Sequence, residues 1–301
     1  MSTDEAPTTH ISTQTTLIPA INAWRFYLED QGSSPHTIKA FIGDLNLVAS
    51  YLPPDRTIGS ISTTDLNNFL NWMQKGRGVP CSPKTLSRRI TSIKSFFRWL
   101  HEYGVLLVDP AEQVVQKSVI SPLPQVLTPD EVRAGLQVAE DLWHKAPNDP
   151  RYLALFDFLI NTGLKKSETL ALRLNHIDLD TPSGALVFVR YANPQYRFKE
   201  RKIPLSDSWV EHYPAYAAQY NLTDELFPWS PRRLEYLLED ISTQAGLEKH
   251  ISFEMCRWTC ALSDWRSGME PDKIRQKLGI SKIQWREVRM KLRRLSDPGS
   301  E

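Results

Sequence analysis

Four times in this sequence a serine or threonine stands directly before a proline and opens a run of apolar residues at helical spacing: Ser34-Pro35, Ser82-Pro83, Thr128-Pro129 and Ser230-Pro231. A hydroxyl side chain can accept from the unpaired N–H groups of a first helical turn. Proline suits the first helical position because the N–H it lacks would have no partner there. The pattern therefore fixes the starts of four helices. At Thr128 it is reinforced by Glu131, three residues on, which completes a capping box.

Around these starts the first half reads as all helix, over 18–27, 34–52, 63–73 and 82–103. In the last of these Leu86, Ile90, Ile93, Phe97 and Leu100 form one stripe that Phe96 broadens, and Gly104 follows as a C-cap. The periodicity then weakens, and Pro110, Pro122 and Pro124 punctuate the segment 106–127, which is expected to be an interdomain linker. The second half is mixed. Helices are expected over 151–160 and 165–174, joined by the turn Asn161-Thr162-Gly163. A strand over 184–190 is expected to pair with 201–205, and helices follow over 209–220, 230–244, 255–267, 272–278 and 283–295. The fold class is thus mainly α with a small β-sheet, in two domains over 16–105 and 128–296, with disordered tails at 1–15 and 297–301.

The composition, 41% hydrophobic and 24% charged, is that of a globular chain rather than a disordered one. The longest apolar run, 152–160, is interrupted by Asp157 and is far too short to cross a bilayer, so no membrane partner is expected. The polar, acidic start has no signal-peptide pattern, and three cysteines cannot make a disulfide framework, so the cytoplasm is the expected compartment. Cys256 and Cys260 lie four apart on a helix. They read as packed core residues rather than metal ligands, because no His or Cys completes a ligand set nearby. No metal or cofactor is expected.

The formal net charge is only +1, but the charge is unevenly placed. Between Lys75 and Arg98 the basic residues Lys75, Arg77, Lys84, Arg88, Arg89, Lys94 and Arg98 occur with no acid among them. A second cluster, Lys282, Arg286, Arg289, Lys291, Arg293 and Arg294, is relieved only by Glu287, and a third holds Arg197, Lys199, Arg201 and Lys202. Such faces can neutralise nucleic-acid phosphates. They can also be solvated surfaces answered by acids elsewhere in the fold, a reading that charge alone leaves even for the first cluster. The terminal cluster could equally meet an acidic protein partner. Three separate clusters in a nearly neutral chain tilt the balance toward nucleic acid.

The order of the pieces adds a resemblance. Residues 123–128 (Leu-Pro-Gln-Val-Leu-Thr), the box from Asn161 to Leu172 containing Thr162-Gly163-Leu164-Lys165-Lys166-Ser167-Glu168, and the segment Lys199-Glu200-Arg201-Lys202-Ile203-Pro204-Leu205 come first. Ala245-Gly246-Leu247, Arg257-Trp258-Thr259-Cys260-Ala261 and Leu278-Gly279 follow. In this order they resemble the tyrosine recombinases of the phage integrase family, over residues 16 to 292. The resemblance implies a helical, SAM-like core-binding domain and an α+β catalytic-type domain that close on duplex DNA as a C-shaped clamp. Charge and resemblance together give a DNA-facing set of Lys39, Lys84, Arg88, Arg89, Lys94, Lys165, Arg197, Lys199, Arg201, Arg257, Arg286 and Arg289.

The family's chemistry needs two arginines on the phosphate, a hairpin lysine and one or two histidines that manage protons, and a tyrosine that attacks phosphorus. Set against that pattern, the first arginine falls at Lys165, which keeps the charge and loses the bidentate fork. The hairpin lysine falls at or near Tyr196, with Arg197 and Lys199 as imperfect substitutes. The histidine positions hold Glu254, Trp258 and Ile280, while the second arginine survives as Arg257. The tyrosine position, nine residues beyond Ile280, is Arg289, and the last tyrosine in the chain is Tyr236. Ser281 reads as a helix N-cap rather than a substitute nucleophile. Lys165 and Arg257 could remain as scaffold contacts, for example with Glu168 or Glu254, or still hold a phosphate without chemistry.

The leading expectation is a catalytically inactive DNA-binding protein, a pseudo-recombinase. It would be nucleoid-associated and would serve as an accessory or regulatory factor for a mobile element, beside an active tyrosine recombinase or self-associated on DNA. Two alternatives stand beside it: an active recombinase with a relocated nucleophile, and a protein-interaction module that has lost DNA binding. Neutralisation of the Lys84, Arg88 and Arg89 face by acids in the fold would favour the last.

Overall fold

The computed structural model describes residues 11–115, 122–146, 148–182 and 184–297, and the chain divides into two compact units between residues 121 and 122. The first unit is built from α1 (Leu17–Asp30), α2 (Pro35–Tyr51), α3 (Thr63–Asn71) and α4 (Pro83–Glu102). The serine caps form: Ser34 Oγ accepts from the Thr37 N–H at 3.1 Å and Ser82 Oγ from the Thr85 N–H at 3.2 Å. The apolar stripe of α4 turns inward, and Phe96 and Phe97 join Trp24 and Phe69 in a core closed to solvent. Burying each such ring stabilises the unit by about 1.5–3 kcal/mol.

Two expected boundaries change here. The tail expected over 1–15 is ordered from residue 11: the Ile58 N–H donates to the Thr15 carbonyl at 2.8 Å and the Gly59 N–H to that of Thr13 at 2.9 Å. Residues 1–10 lie outside the described residues. The linker expected over 106–127 is not free at either end, because Leu106, Ala111 and Val114 sit in the core of the first unit and Leu127 in that of the second. Proline punctuation breaks helical periodicity without preventing burial, so it over-marked the linker. Residues 116–121 and 298–301 also lie outside the described residues.

The second unit contains α5 (Pro129–His144), α6 (Arg151–Thr162), α7 (Lys166–Leu170), β1 (Ile177–Asp178), β2 (Leu186–Val189) and β3 (Arg201–Pro204). After these come α8 (Asp207–Gln219), α9 (Pro231–Gln244), α10 (Phe253–Arg266), α11 (Pro271–Lys277) and α12 (Lys282–Ser296). Helix α6 is buried from Tyr152 through Leu159, its one acid, Asp157, accepting from Asn161 Nδ2 and Ser208 Oγ, and α5, α8, α9 and α10 pack around it. The strands form an antiparallel sheet in the order β1-β2-β3, with Val187 opposite Ile203 and Val189 opposite Arg201. Val187, Val189 and Ile203 face the core, and the alternation of the pleat turns Phe188 and Lys202 outward. A smaller core under α10, α11 and α12 holds Leu262, Ile274, Leu278, Trp285 and Leu292.

The helix expected over 165–174 stops at Leu170. Beyond it the chain pairs with the segment at 224–226: the Leu174 N–H donates to the Asp224 carbonyl at 2.7 Å and the Leu226 N–H to that of Leu172 at 3.0 Å. Those partners replace the helical ones. Cys256 and Cys260 are buried. Among the described residues no group of three or more His, Cys, Asp or Glu could hold a metal, and no helix is long and apolar enough to cross a membrane.

Candidate functional site

In the second unit the box 162–168 forms a turn whose geometry the sequence explains. Gly163 ends α6 in the left-handed region at φ +62°, and a Cβ there would lie 3.1 Å from Cys260 Sγ, so glycine answers both the conformation and the close approach. The Glu168 side chain then folds back to accept the Lys165 N–H at 3.0 Å and starts α7.

Glu168 is the centre of the site. Its side chain is 1% exposed and accepts two hydrogen bonds from the Arg201 guanidinium, from Nη1 to Oε1 at 3.1 Å and from Nη2 to Oε2 at 2.9 Å. The Tyr191 hydroxyl donates to the same carboxylate, and Lys165 Nζ stands 3.9 Å from it. Burial alone would raise the Glu168 pKa, but the hydrogen bonds and charge of Arg201, with the bonds from Tyr191 and the Lys165 N–H, outweigh it and hold the group at about 2. Burial, followed by the bond to this carboxylate, pushes the Tyr191 phenol up to about 12, so it is a poor source of phenolate at neutral pH. Burial also draws the Lys165 ammonium below its ordinary value. Glu168 opposes that shift, while the nearby cations Arg257, Arg201 and Lys199 reinforce it.

Arg201, one of the expected DNA contacts, is therefore an internal ion-pair partner. Its side chain is 8% exposed, and its Nε donates to the Lys277 carbonyl at 2.6 Å. Arg257 turns to the backbone rather than to Glu254, donating from Nη1 to the Gly163 carbonyl at 2.6 Å and from Nη2 to the Leu278 carbonyl at 2.5 Å. Burial lowers its pKa to about 10, so it stays charged at neutral pH. It staples the start of the 162–168 box to the end of α11. The fold thus brings Lys165, Arg201 and Arg257 near one carboxylate, with Lys199 close enough for its charge to act on Lys165.

The other expected positions are more open. Tyr196, Arg197 and Lys199 lie in the loop between β2 and β3, where Tyr196 and Arg197 are exposed and Lys199 Nζ sits 4.5 Å from the Tyr196 ring centroid. Glu254 is exposed in the first turn of α10, Trp258 is half-buried and Ile280 packs beside the small core. Arg289 is exposed on α12. Ser281 caps α12, its Oγ accepting the Gln284 N–H at 3.2 Å. The Tyr236 hydroxyl accepts from Arg232 Nε at 2.7 Å on α9.

Helix α12 is two-faced. Trp285 and Leu292 are buried while Lys282, Arg286, Arg289 and Arg293, spaced four, three and four apart, form one exposed stripe. The helix's one acid, Glu287, is engaged by Lys291 at 2.7 Å, and no residue of the stripe has an ion pair among the described residues.

The first unit treats its basic helix differently. Asp44, on α2 and 3% exposed, receives Arg88 Nη1 at 2.5 Å, Arg89 Nε at 3.4 Å and Ser92 Oγ at 2.8 Å. Arg89 is 11% exposed, and its Nη1 also reaches Cys81 Sγ at 3.0 Å. It is thus an internal partner and not the surface contact expected of it. Arg88 keeps 42% of its side chain exposed beside the same carboxylate. Lys94 Nζ is turned to the Glu112 carbonyl at 3.2 Å. Lys39 and Lys84 are exposed, with no ion pair among the described residues. Sequence reasoning missed Asp44 and Tyr191, and named Glu168 only as a possible scaffold contact of Lys165 or Arg257, not as the partner of Arg201. The one available signal was Glu168 three residues after Lys165, the spacing of a capping box.

Residues 21–104 match the family model of the phage integrase N-terminal SAM-like domain, and residues 125–287 match that of the phage integrase family. The chain is 26% identical to the tyrosine recombinase XerD of Listeria innocua over 284 residues, which cover 87% of this chain and 90% of that protein. It is 31% identical to the tyrosine recombinase XerC of Myxococcus xanthus over 208 residues, 68% of this chain and 65% of that one. Among solved structures it is similar to a lambda integrase dimer bound to a COC′ core site, with a TM-score of 0.72 at 16% identity over 95% of this chain and 79% of that chain. It is also similar to the XerH site-specific recombinase bound to a palindromic difH substrate, with a TM-score of 0.71 at 18% identity over 92% and 84% of the two chains. At such identities the structural likeness is one of fold.

Proposed function

The chain belongs to the phage integrase family, and on that premise we propose that it is a DNA-binding protein that does not cleave DNA. The observation that carries the reading is Arg289: the position matching the family's nucleophile is an exposed cation within the α12 stripe. The hydroxyl beside the basic cluster, that of Tyr191, is bound to Glu168 and held protonated. Proton donors are lacking as well, since Glu254, Trp258 and Ile280 stand where histidines would act. Lys165 and Lys199 remain able to hold a phosphate, because Glu168 is bound mainly by Arg201 and Tyr191, while Arg257 commits both Nη atoms to backbone carbonyls. The solved neighbours bound to a core site and to a difH substrate support duplex DNA as the partner. In this role the protein acts as an accessory or regulatory factor on a mobile element, self-associated on DNA or beside an active tyrosine recombinase, in the cytoplasm and at the nucleoid.

The test has two arms with purified full-length protein. Selection from random duplexes at near-physiological salt is expected to enrich a motif, while nicked duplexes that trap a cleaving recombinase are expected to yield no covalent adduct. An adduct surviving denaturation would overturn the loss of cleavage. Absence of enrichment, with binding that vanishes as salt rises, would overturn the DNA-binding half. One observation favours a second reading, a protein-interaction module: Asp44 engages both Arg88 and Arg89 and so removes much of the cationic face of α4.

A further inference from the structure

The outer side of the β-sheet carries a groove of about 800 Å³ that shares Arg197 and Arg201 with the DNA-facing set above and adds Arg173, His176, Arg190 and Lys202, which that set leaves out. Its walls are Arg173 and His176 from the turn before β1, Phe188 and Arg190 from β2 and the residue after it, Arg197 from the following loop, and Lys202 from β3. Arg173 is paired with Asp224, while Arg190, Arg197 and Lys202 have no ion pair among the described residues. The carboxylate that also lines the groove, Glu200, accepts the Tyr191 N–H at 3.0 Å. Arg190 and Lys202 both lie over the Phe188 ring, at 5.7 and 4.7 Å from its centroid, which holds two cations side by side on one apolar support.

His176 completes the arrangement. Its Nδ1 accepts the Arg173 N–H at 3.3 Å, which leaves the proton of the neutral ring on Nε2. Burial, then the charges of Arg190 and Arg173, keep its pKa below the ordinary value, so at neutral pH the ring offers a donor without a charge. Unpaired cations and a fixed neutral donor around one concavity are the requirements of an oxyanion-bearing ligand.

We propose that this groove, which borders the Glu168 cluster through Tyr191 and Arg201 and lies apart from the α12 stripe, is a phosphate site that takes adjacent phosphate groups of a polyphosphate or of a nucleic-acid backbone on Arg190, Arg197 and Lys202. It requires no cleavage chemistry and no contact with duplex DNA at the other two places.

The probes are inorganic pyrophosphate and a short single-stranded oligonucleotide of mixed sequence, titrated onto the full chain. The variants are Arg190→Ala with Lys202→Ala, Arg197→Glu in the exposed loop, and Arg133→Ala with Lys145→Ala, two exposed cations of α5 and its C-cap, as the control outside the groove. Pyrophosphate binding is expected to weaken about tenfold or more in both groove variants, each of which removes charge-assisted hydrogen bonds, and to be unchanged in the control. Parallel loss of the oligonucleotide identifies a nucleic-acid strand as the source of the phosphates. Loss of pyrophosphate alone identifies a free polyphosphate. Pyrophosphate binding that is absent in the unsubstituted protein, or equal in all four proteins, overturns the proposal. A failure of duplex selection leaves this readout intact, so the two proposals fall separately.

Discussion

Helix α4 carries five basic residues and α12 six, each opposite an apolar face, yet the fold disposes of them in different ways. On α4 a buried carboxylate from α2 takes Arg88 and Arg89, and a backbone carbonyl takes Lys94. On α12 the single acid answers only Lys291, and the stripe from Lys282 to Arg293 faces solvent. A basic amphipathic helix is thus two objects under one sequence signature. In one the arginines hold domain elements together; in the other they form a field available to a partner.

The sharpest way to break this contrast is Asp44→Ala. It leaves Arg89 nearly buried without its acid, and a loss of about 3–5 kcal/mol in denaturant unfolding is expected. A change under 1 kcal/mol would put α4 in the same class as α12. The second unit repeats the α4 arrangement at Glu168 and Arg201, which gives a test by pH. The folded pKa of Glu168, about 2, lies below its ordinary 4.5, so the contribution of the pairing is complete above pH 4.5 and is lost as pH falls towards 2. That acid limb amounts to about 3 kcal/mol. In Arg201→Met the carboxyl is expected to be protonated already near neutrality, so the limb is absent from the stability–pH curve.

The opposite signature is expected on α12. Arg286→Ala with Arg289→Ala should leave unfolding within about 0.5 kcal/mol of the parent, because both side chains are exposed and unpaired. The dependence of log affinity for duplex DNA on log salt should fall by about 2, since each phosphate that a cation neutralises releases one counterion. An unchanged slope would mean that the stripe does not meet phosphate. The smallest effect on DNA binding belongs to Glu287→Ala, which removes the partner of Lys291, a side chain 14% exposed over the Trp258 ring, and is expected to cost about 0.5–1 kcal/mol with no change in the salt slope.

Much of the fold was legible because its signals are local. The caps at Ser34, Ser82, Thr128 and Ser230 depend on residues three positions away, and all four form. The apolar stripes of α4 and α12 follow from helical spacing within one segment. Partner choice was not legible, because it is decided across the chain: Arg88 and Arg89 meet an acid 44 and 45 residues earlier, and Arg201 meets one 33 residues earlier. The two-residue β1 has no periodicity to read, and the end of α7 at Leu170 is imposed by the segment at 224–226. Of the candidate site, a contact between Lys165 and Glu168 was readable because the two lie three apart. That Arg201 and Tyr191 would meet on the same carboxylate was not.

Gly279 gives this a longer reach. It sits at φ +59°, and a Cβ there would lie 2.5 Å from Arg201 Nη1, the atom that donates to Glu168. Any side chain at 279 would push Arg201 off its carboxylate and leave a buried charge behind. A lineage that had stopped cutting DNA would still be barred from altering Glu168, Arg201 or Gly279 one at a time, since each step passes through an unstable intermediate. Selection for folding alone can therefore preserve a family's signature boxes after the chemistry they once served has lapsed.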